Sequence, residues 1–237
     1  MKYEIKEVKD RVFAVVIPNH YDRAMTFLRV QEFYESPNPE FRGKHFNIWD
    51  FIEWYSKEHR DAFTYAFDWG GFNIPLPIAL ECYEGKENRN PRKGYNGVRS
   101  MPDTWKSKWD DVMKDIIWAV DSKMFNKKNK RDNNAYIIGA NDTESDTFMH
   151  EVAHGLYYTN KEYKELMDEI TDAIPLDIRL KFRNNLIEMG YTDSVVYDEI
   201  QAYLSWHYEY TKFSKGVSKK ILKQLNKEYQ KVFNKYL

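Results

Sequence analysis

The segment TFMHEVAHGLYY, residues 147–158, contains two histidines four positions apart, His150 and His154, with Glu151 directly after the first. On an α-helix, residues four apart lie on one face, so both imidazoles can bind one cation. Glu151 can then take a proton from a water molecule at that cation and later hand it to a leaving amine. Zn²⁺ suits this chemistry because it holds three protein ligands and makes its bound water acidic near neutral pH.

The surroundings of the two histidines favour a metal site over a chance pair. The preceding AYIIGA, residues 135–140, is typical of a strand, and Asn141 to Asp146 supply turn signals. Thr143 with Asp146 fits a capping box for a helix that continues through His154. The rest of this helix is mostly apolar, and two histidines without a ligand would be costly to bury on its inner face.

This arrangement of a strand followed by the HEVAH helix resembles the zincin metallopeptidases over about residues 133–210. The resemblance implies Zn²⁺ as cofactor and peptide hydrolysis as the reaction. It also implies that AYIIGA is an edge strand that aligns the substrate backbone. Metzincins would need Gly at position 157 and His or Asp at position 160, where this chain has Tyr157 and Asn160.

The third ligand is therefore expected to be a glutamate from a later helix, as in the gluzincin branch. Glu199 and Ala202 form a Glu-x-x-Ala pattern similar to gluzincin-like families, in which the small residue lets two helices approach closely. Glu199 shares its helix face with apolar and aromatic neighbours, where a carboxylate needs a partner. Glu169 is the rival, because a tight turn near Thr159 would fold the next helix back towards the histidines.

Two supporting roles are less well defined by the sequence. Many gluzincins place an aspartate four residues after the ligand glutamate to hold a histidine, but this chain has Tyr203 there. Asp198 and Asp146 are the alternatives for that partner. Tyr203 and His207 follow Glu199 on its helix face, and both are candidate catalytic donors to the oxyanion that forms at the attacked carbonyl.

The composition limits the class of protein. The chain has 36 Lys+Arg against 37 Asp+Glu, a formal net charge of -1, which argues against nucleic acid as the main partner. No apolar run predicts a signal peptide or a membrane span, and the single Cys82 cannot form an intramolecular disulfide. We therefore expect a cytoplasmic protein with a peptide or protein substrate and no membrane partner, whose oligomeric state the sequence leaves open.

The elements expected around the site predict an α+β fold, with a mostly helical zincin-like catalytic half and a small β-sheet beside the active-site helix. We expect an N-terminal α+β part, residues 1–130, packed on a helical catalytic part, residues 131–237. Hydrophobic periodicity and capping signals predict a hairpin over 2–17, a strand over 135–140, a long irregular segment over 68–102, and helices after Asn19 and over 46–59, 103–124, 161–173, 175–189, 194–209 and 217–237.

Two hypotheses for function remain. The first is a zinc-dependent metallopeptidase in which His150, His154 and Glu199 bind the metal and Glu151 is the general base. The second is a zincin-like binding or effector module that keeps zinc and has no general proteolytic activity. The intact Glu151 favours the first, because a purely structural zinc site does not use a base.

Overall fold

A computed structural model describes residues 1–85, 98, 101–128, 134–143, 145–206 and 211–237. The fold is α+β and mostly helical, with one small mixed sheet in the part of the chain that is described. The chain forms two compact units, Met1–Thr143 and Glu144–Leu237. The division falls later than the predicted boundary at residue 130, because the strand that ends at Ala140 pairs with strands of the first unit.

The sheet has four strands in the order β1 (Glu4–Lys9), β2 (Val12–Val16), β4 (Tyr136–Ala140) and β3 (Phe72–Pro75). The hairpin pair β1–β2 is antiparallel, β2–β4 is parallel and β4–β3 is antiparallel. The two inner strands, VFAVV and YIIGA, are continuous apolar runs, as strands buried on both faces usually are.

The prediction that AYIIGA is an edge strand is wrong. β4 is hydrogen-bonded on one side to β2, where Val12 is in register with Tyr136, and on the other side to β3, where Phe72 is in register with Gly139. Both of its backbone edges are therefore used within the sheet. A peptide cannot extend the sheet at this strand in the way that the resemblance to zincins implied.

The α-helices in the described part of the first unit are α1 (His20–Glu35), α2 (Ile48–Glu58), α3 (Tyr65–Asp68), α4 (Leu76–Glu84) and α5 (Lys108–Lys128). Asn19 caps α1 as predicted, since its side chain accepts from the Asp22 amide at 2.8 Å. α4 lies within the segment that was predicted to be irregular. Its Pro77 falls in the first turn, where a missing amide proton breaks no intrahelical bond.

α5 begins at Lys108, five residues later than predicted, because Asp103–Trp105 forms a separate 3₁₀ turn. His207 of the second unit lies outside the described residues. Among the residues that are described, none of the helices combines the length and the apolar character that crossing a bilayer requires.

α1 packs on the sheet at a point where only glycine fits. A Cβ atom added to Gly139 of β4 would stand 2.5 Å from Cε2 of Phe27, whose ring is fully buried and stacks on Phe72 at 5.5 Å. Since this ring has no free space to move into, we expect Gly139→Ala to destabilise the protein by about 1–3 kcal/mol. Urea unfolding of the variant and the wild type measures this difference.

The shorter side chain in Phe27→Leu provides the control for this prediction. The double variant with Gly139→Ala relieves the clash. Its loss in the free energy of unfolding should therefore be smaller than the sum of the losses in the two single variants. Strictly additive costs would show that the close approach of Phe27 and Gly139 is not what requires glycine.

Within the residues described for the second unit, the α-helices are α6 (Asp146–Thr159), α7 (Lys161–Ala173), α8 (Leu176–Glu188), α9 (Val196–Trp206) and α10 (Lys219–Tyr236). These bounds confirm the predicted helices within three residues wherever the residues are described. Asn160 ends α6 and also caps α7, since its side chain accepts from the Tyr163 amide at 3.0 Å. α6 packs against both α7 and α9, so the HEVAH segment has helical neighbours on two sides.

Candidate metal centre

α6 holds the two histidines on one regular helix. Ser145 caps it, because its hydroxyl accepts from the Phe148 amide at 3.2 Å. The predicted cap at Thr143 is therefore wrong, and Asp146 is the first residue of the helix rather than its third. The Asp146 carboxylate accepts from the indole N–H of Trp206 at 2.7 Å, which ties the start of α6 to the end of α9.

Glu199 of α9 reaches the two histidines across 45 residues of sequence. The Nε2 atoms of His150 and His154 lie 3.1 Å apart. Glu199 Oε2 lies 3.7 Å from the His150 nitrogen and Glu199 Oε1 lies 3.6 Å from the His154 nitrogen. In the described part of the chain, these are the residues that gather three ligand atoms of the kind a metal binds, all within 4.8 Å of one another.

The geometry of this cluster suits a tetrahedral cation. With metal–ligand bonds of about 2.0–2.1 Å, two ligand atoms of a tetrahedral centre stand about 3.3–3.4 Å apart. The two imidazole nitrogens are 3.1 Å apart, and each of them has a different oxygen of Glu199 at 3.6 or 3.7 Å, so all three distances lie near this value. Two imidazole nitrogens and one carboxylate are also a ligand set that catalytic zinc sites use, with a fourth position left for water.

Two further observations fit a cation at this point. Glu199 Oε2 is buried and has no hydrogen-bond partner among the described residues, which is costly for a carboxylate oxygen. Asp198, Glu199 and Glu151 also place three carboxylates near His154. Although burial opposes protonation of His154, the negative charges of Asp198, Glu199 and Glu151 raise its pKa well above the usual value. The cluster therefore favours bound positive charge.

The rival third ligand does not join the cluster. Glu169 lies on α7 with an exposed side chain, and it is not among the residues whose ligand atoms converge. α6 ends and α7 begins at Asn160, and the two helices are in contact. However, the side of α7 that faces the rest of the unit presents Tyr163, Met167 and Thr171 instead of Glu169.

Asp198 is the partner that orients His154. The Nδ1–H group of His154 donates to Asp198 Oδ1 at 2.8 Å, so its Nε2 faces His150 and Glu199. A carboxylate on the far nitrogen of a ligand histidine fixes the ring and increases its basicity. Asp146, the other candidate for this role, bonds to Trp206 instead.

His150 is positioned by aromatic rings. Tyr203 meets its ring edge-on at a centroid distance of 4.7 Å. Behind Tyr203, Phe213 stacks at 4.5 Å and Phe182 stacks on Phe213 at 4.6 Å, both nearly parallel. The three stacked rings therefore pack against one side of the His150 imidazole.

The hydroxyl of Tyr203 lies 3.4 Å from the hydroxyl of Tyr191, a residue that the sequence analysis did not single out. Tyr191 follows Gly190, whose φ of +99° ends α8, and its amide donates to the Leu186 carbonyl at 3.0 Å. Burial and the nearby carboxylates, including Glu199, raise the pKa of both phenols, so both hydroxyls stay protonated as donors. The other predicted donor, His207, lies outside the described residues.

Glu151 is buried beside the ligand cluster, with 7% of its surface exposed, and it is not one of the three residues whose ligand atoms converge. It is close enough to His154 for its charge to act on that imidazole. A carboxylate that is adjacent to a metal cluster without belonging to it is suited to accept a proton.

No family model matches the sequence, and no curated protein or solved structure matches it significantly.

Proposed function

We propose that this chain is a zinc-dependent metallopeptidase of gluzincin-like type. His150, His154 and Glu199 would hold the metal, and Glu151 would be the general base. The observation that supports this proposal most directly is the approach of Glu199 to both histidines of the HEVAH segment from a different helix. Two histidines four apart on one helix could arise by chance. A buried carboxylate that approaches both of them from a helix 45 residues later is unfavourable unless it has a partner, and a bound metal would be such a partner.

The proposed mechanism assigns a task to each side chain. Zn²⁺ bound at this triad would supply Lewis-acid chemistry that makes a water molecule acidic near neutral pH. Glu151 takes the proton of that water as it attacks the peptide carbonyl, and then transfers the proton to the leaving amine. Asp198 keeps the His154 imidazole in its orientation, and the Tyr203 hydroxyl is the proposed donor to the developing oxyanion.

A second candidate is a zinc-retaining binding or effector module, and one observation favours it. The strand that precedes the HEVAH helix is an inner strand, so the edge that would align an extended substrate is already paired. In this alternative the cluster would bind the metal and cleave no general peptide substrate. For either candidate we propose a reducing compartment such as the cytoplasm, which the single, buried Cys82 supports.

Metal content and peptide cleavage together test these proposals. We expect elemental analysis of the purified protein to find about one zinc per chain, as a three-residue site with an open position binds. His154→Ala and Glu199→Ala should lose the metal, because each removes a ligand. Glu169→Ala is the matched control, since it removes an exposed carboxylate of the same unit, and it should keep the metal.

The same preparations are then assayed against a mixed peptide library with and without a chelator. Cleavage that disappears with the chelator and in the two ligand variants supports the peptidase. Bound zinc without any cleavage would favour the binding module. Loss of zinc in Glu169→Ala but not in Glu199→Ala would contradict the assigned third ligand, and a wild type that takes up no metal would contradict both candidates.

A further inference from the structure

Behind Asp198 lies a chain of buried polar side chains that the mechanism above does not use. Gln201, on the same helix, donates from Nε2 to Asp198 Oδ1 at 3.0 Å. Tyr163 of α7 donates its hydroxyl proton to Gln201 Oε1 at 2.8 Å. Neither Gln201 nor Tyr163 has exposed surface. Burying an amide and a phenol is unfavourable unless each polar atom is paired, so this arrangement needs a compensating role.

The donor and acceptor groups allow only one arrangement of these hydrogen bonds. An ionised carboxylate only accepts hydrogen bonds, so Gln201 must turn its NH₂ group towards Asp198. The Gln201 carbonyl then faces Tyr163, which must be the donor. The opposite amide orientation would place the Gln201 oxygen against the Asp198 carboxylate, with two acceptors in contact.

The same oxygen atom, Asp198 Oδ1, receives both the Gln201 N–H and the His154 Nδ1–H. The Asp198 side chain is 28% exposed, so its carboxylate has access to water and could rotate away from His154. Gln201 supplies a second, buried donor to that oxygen. Tyr163 in turn fixes the Gln201 amide, and it connects this row of hydrogen-bonded side chains to α7.

We propose that Gln201 and Tyr163 are positioning residues for the metal centre. They hold the Asp198 carboxylate in place, and Asp198 keeps the His154 Nε2 atom directed at His150 and Glu199. This inference rests on the proposed function, because it assigns the two residues a role in metal affinity. It predicts that removing one buried hydroxyl of α7, at a residue that is not a ligand, weakens zinc binding.

Three variants test the proposal. Gln201→Met keeps the length of the side chain and removes both polar groups, and Tyr163→Phe removes only the hydroxyl. Tyr229→Phe is the matched control, because this equally buried tyrosine of α10 bonds through its hydroxyl to Thr171 of α7 at 2.7 Å. Within the described residues, Tyr229 forms no hydrogen bond to Asp198 or Gln201. Zinc affinity is measured by competition with a chromophoric chelator, and solvent exchange of the His154 Nδ1–H proton by NMR without metal.

We expect Gln201→Met to weaken zinc binding about tenfold or more, the range found when the support of a ligand histidine is lost. Tyr163→Phe should weaken it in the same direction and to a smaller extent. Both should speed the exchange of the Nδ1–H proton. Tyr229→Phe should lower the unfolding midpoint as much as Tyr163→Phe does, yet leave zinc affinity and proton exchange unchanged. Unchanged zinc affinity in Gln201→Met, or an equal loss in Tyr229→Phe, would overturn the proposal.

The two readouts separate this proposal from the proposed function. A wild type that binds zinc and cleaves no peptide contradicts the peptidase, while the affinities still decide the role of Gln201. A wild type that binds no zinc contradicts the metal centre. In that case only the proton-exchange measurement applies. Faster exchange of the His154 Nδ1–H proton in Gln201→Met than in the wild type would show that Gln201 holds Asp198 against His154, and unchanged exchange would show that it does not.

Discussion

Glu151→Gln is expected to reduce the turnover of peptide substrate by about 10²- to 10⁴-fold, the contribution that a positioned general base typically makes. Glutamine has the shape of glutamate, so the buried position on α6 keeps its packing. It cannot accept a proton from water at neutral pH, however, and it cannot return one to the leaving amine. The three ligand residues are untouched, so the variant should bind zinc as the wild type does. Steady-state kinetics and elemental analysis on the same preparation measure both effects.

Glu169→Gln makes the same chemical change at an exposed carboxylate of α7 and should change neither activity nor metal content. Full activity in Glu151→Gln would contradict the mechanism. Loss of zinc together with activity would show that Glu151 supports the metal cluster instead of acting as the base.

The convergence of His150, His154 and Glu199 could be predicted from the sequence because it depends mainly on helix periodicity. His150 and His154 share a face at a spacing of four, and Glu199 lies on a helix face that is otherwise apolar. Asp146 could already be disfavoured, because it lies about two turns before His154 on the same helix, about 12 Å along the axis. Asp198 could not be chosen in the same way, because only the crossing of α6 and α9 decides whether its carboxylate meets the imidazole.

Tyr191 was missed for a related reason. It follows α8 and belongs to no periodic pattern, and its position beside Tyr203 depends on the left-handed turn at Gly190. Gly190 directly follows the helix predicted over 175–189, and a glycine at this position is typical of a helix end. It gave no indication of where the next side chain would point.

Helices could be predicted because each depends on signals in its own residues. The position of a strand in the sheet was harder to predict because it depends on the strands that pair with it. Caps and apolar stripes predicted the helices of the second unit, since each depends on its own residues. The place of β4 in the sheet depends on β2 and β3, which lie far away in the sequence. One signal was present, however: AYIIGA contains no polar residue, whereas a strand exposed on one face usually alternates.

Asp110→Asn is expected to give the largest loss of stability in the first unit. Asp110 of α5 and Arg29 of α1 form a buried ion pair, with Arg29 Nε at 2.5 Å from Oδ1 and Nη2 at 3.2 Å from Oδ2. Asp110 also accepts from the Tyr83 hydroxyl at 3.0 Å and the Ser107 amide at 2.7 Å. Asparagine preserves the shape but leaves the guanidinium without its counter-charge and turns an NH₂ group towards donors. We expect a loss of about 3–5 kcal/mol in the free energy of unfolding, measured with urea.

Two comparisons show whether the unpaired charge is the cause. Arg29→Met combined with Asp110→Asn removes the stranded cation, so the double variant should be more stable than Asp110→Asn alone. Recovery should be incomplete, because the carbonyls of Phe46 and Trp105 lose the donors that Arg29 provides at 2.6 and 2.8 Å. The exposed pair Lys57–Glu53, at the similar distance of 2.6 Å, is the control, and Lys57→Met should leave the unfolding midpoint unchanged because solvent screens this pair. An equal shift in both single variants would mean that burial does not determine the strength of these pairs.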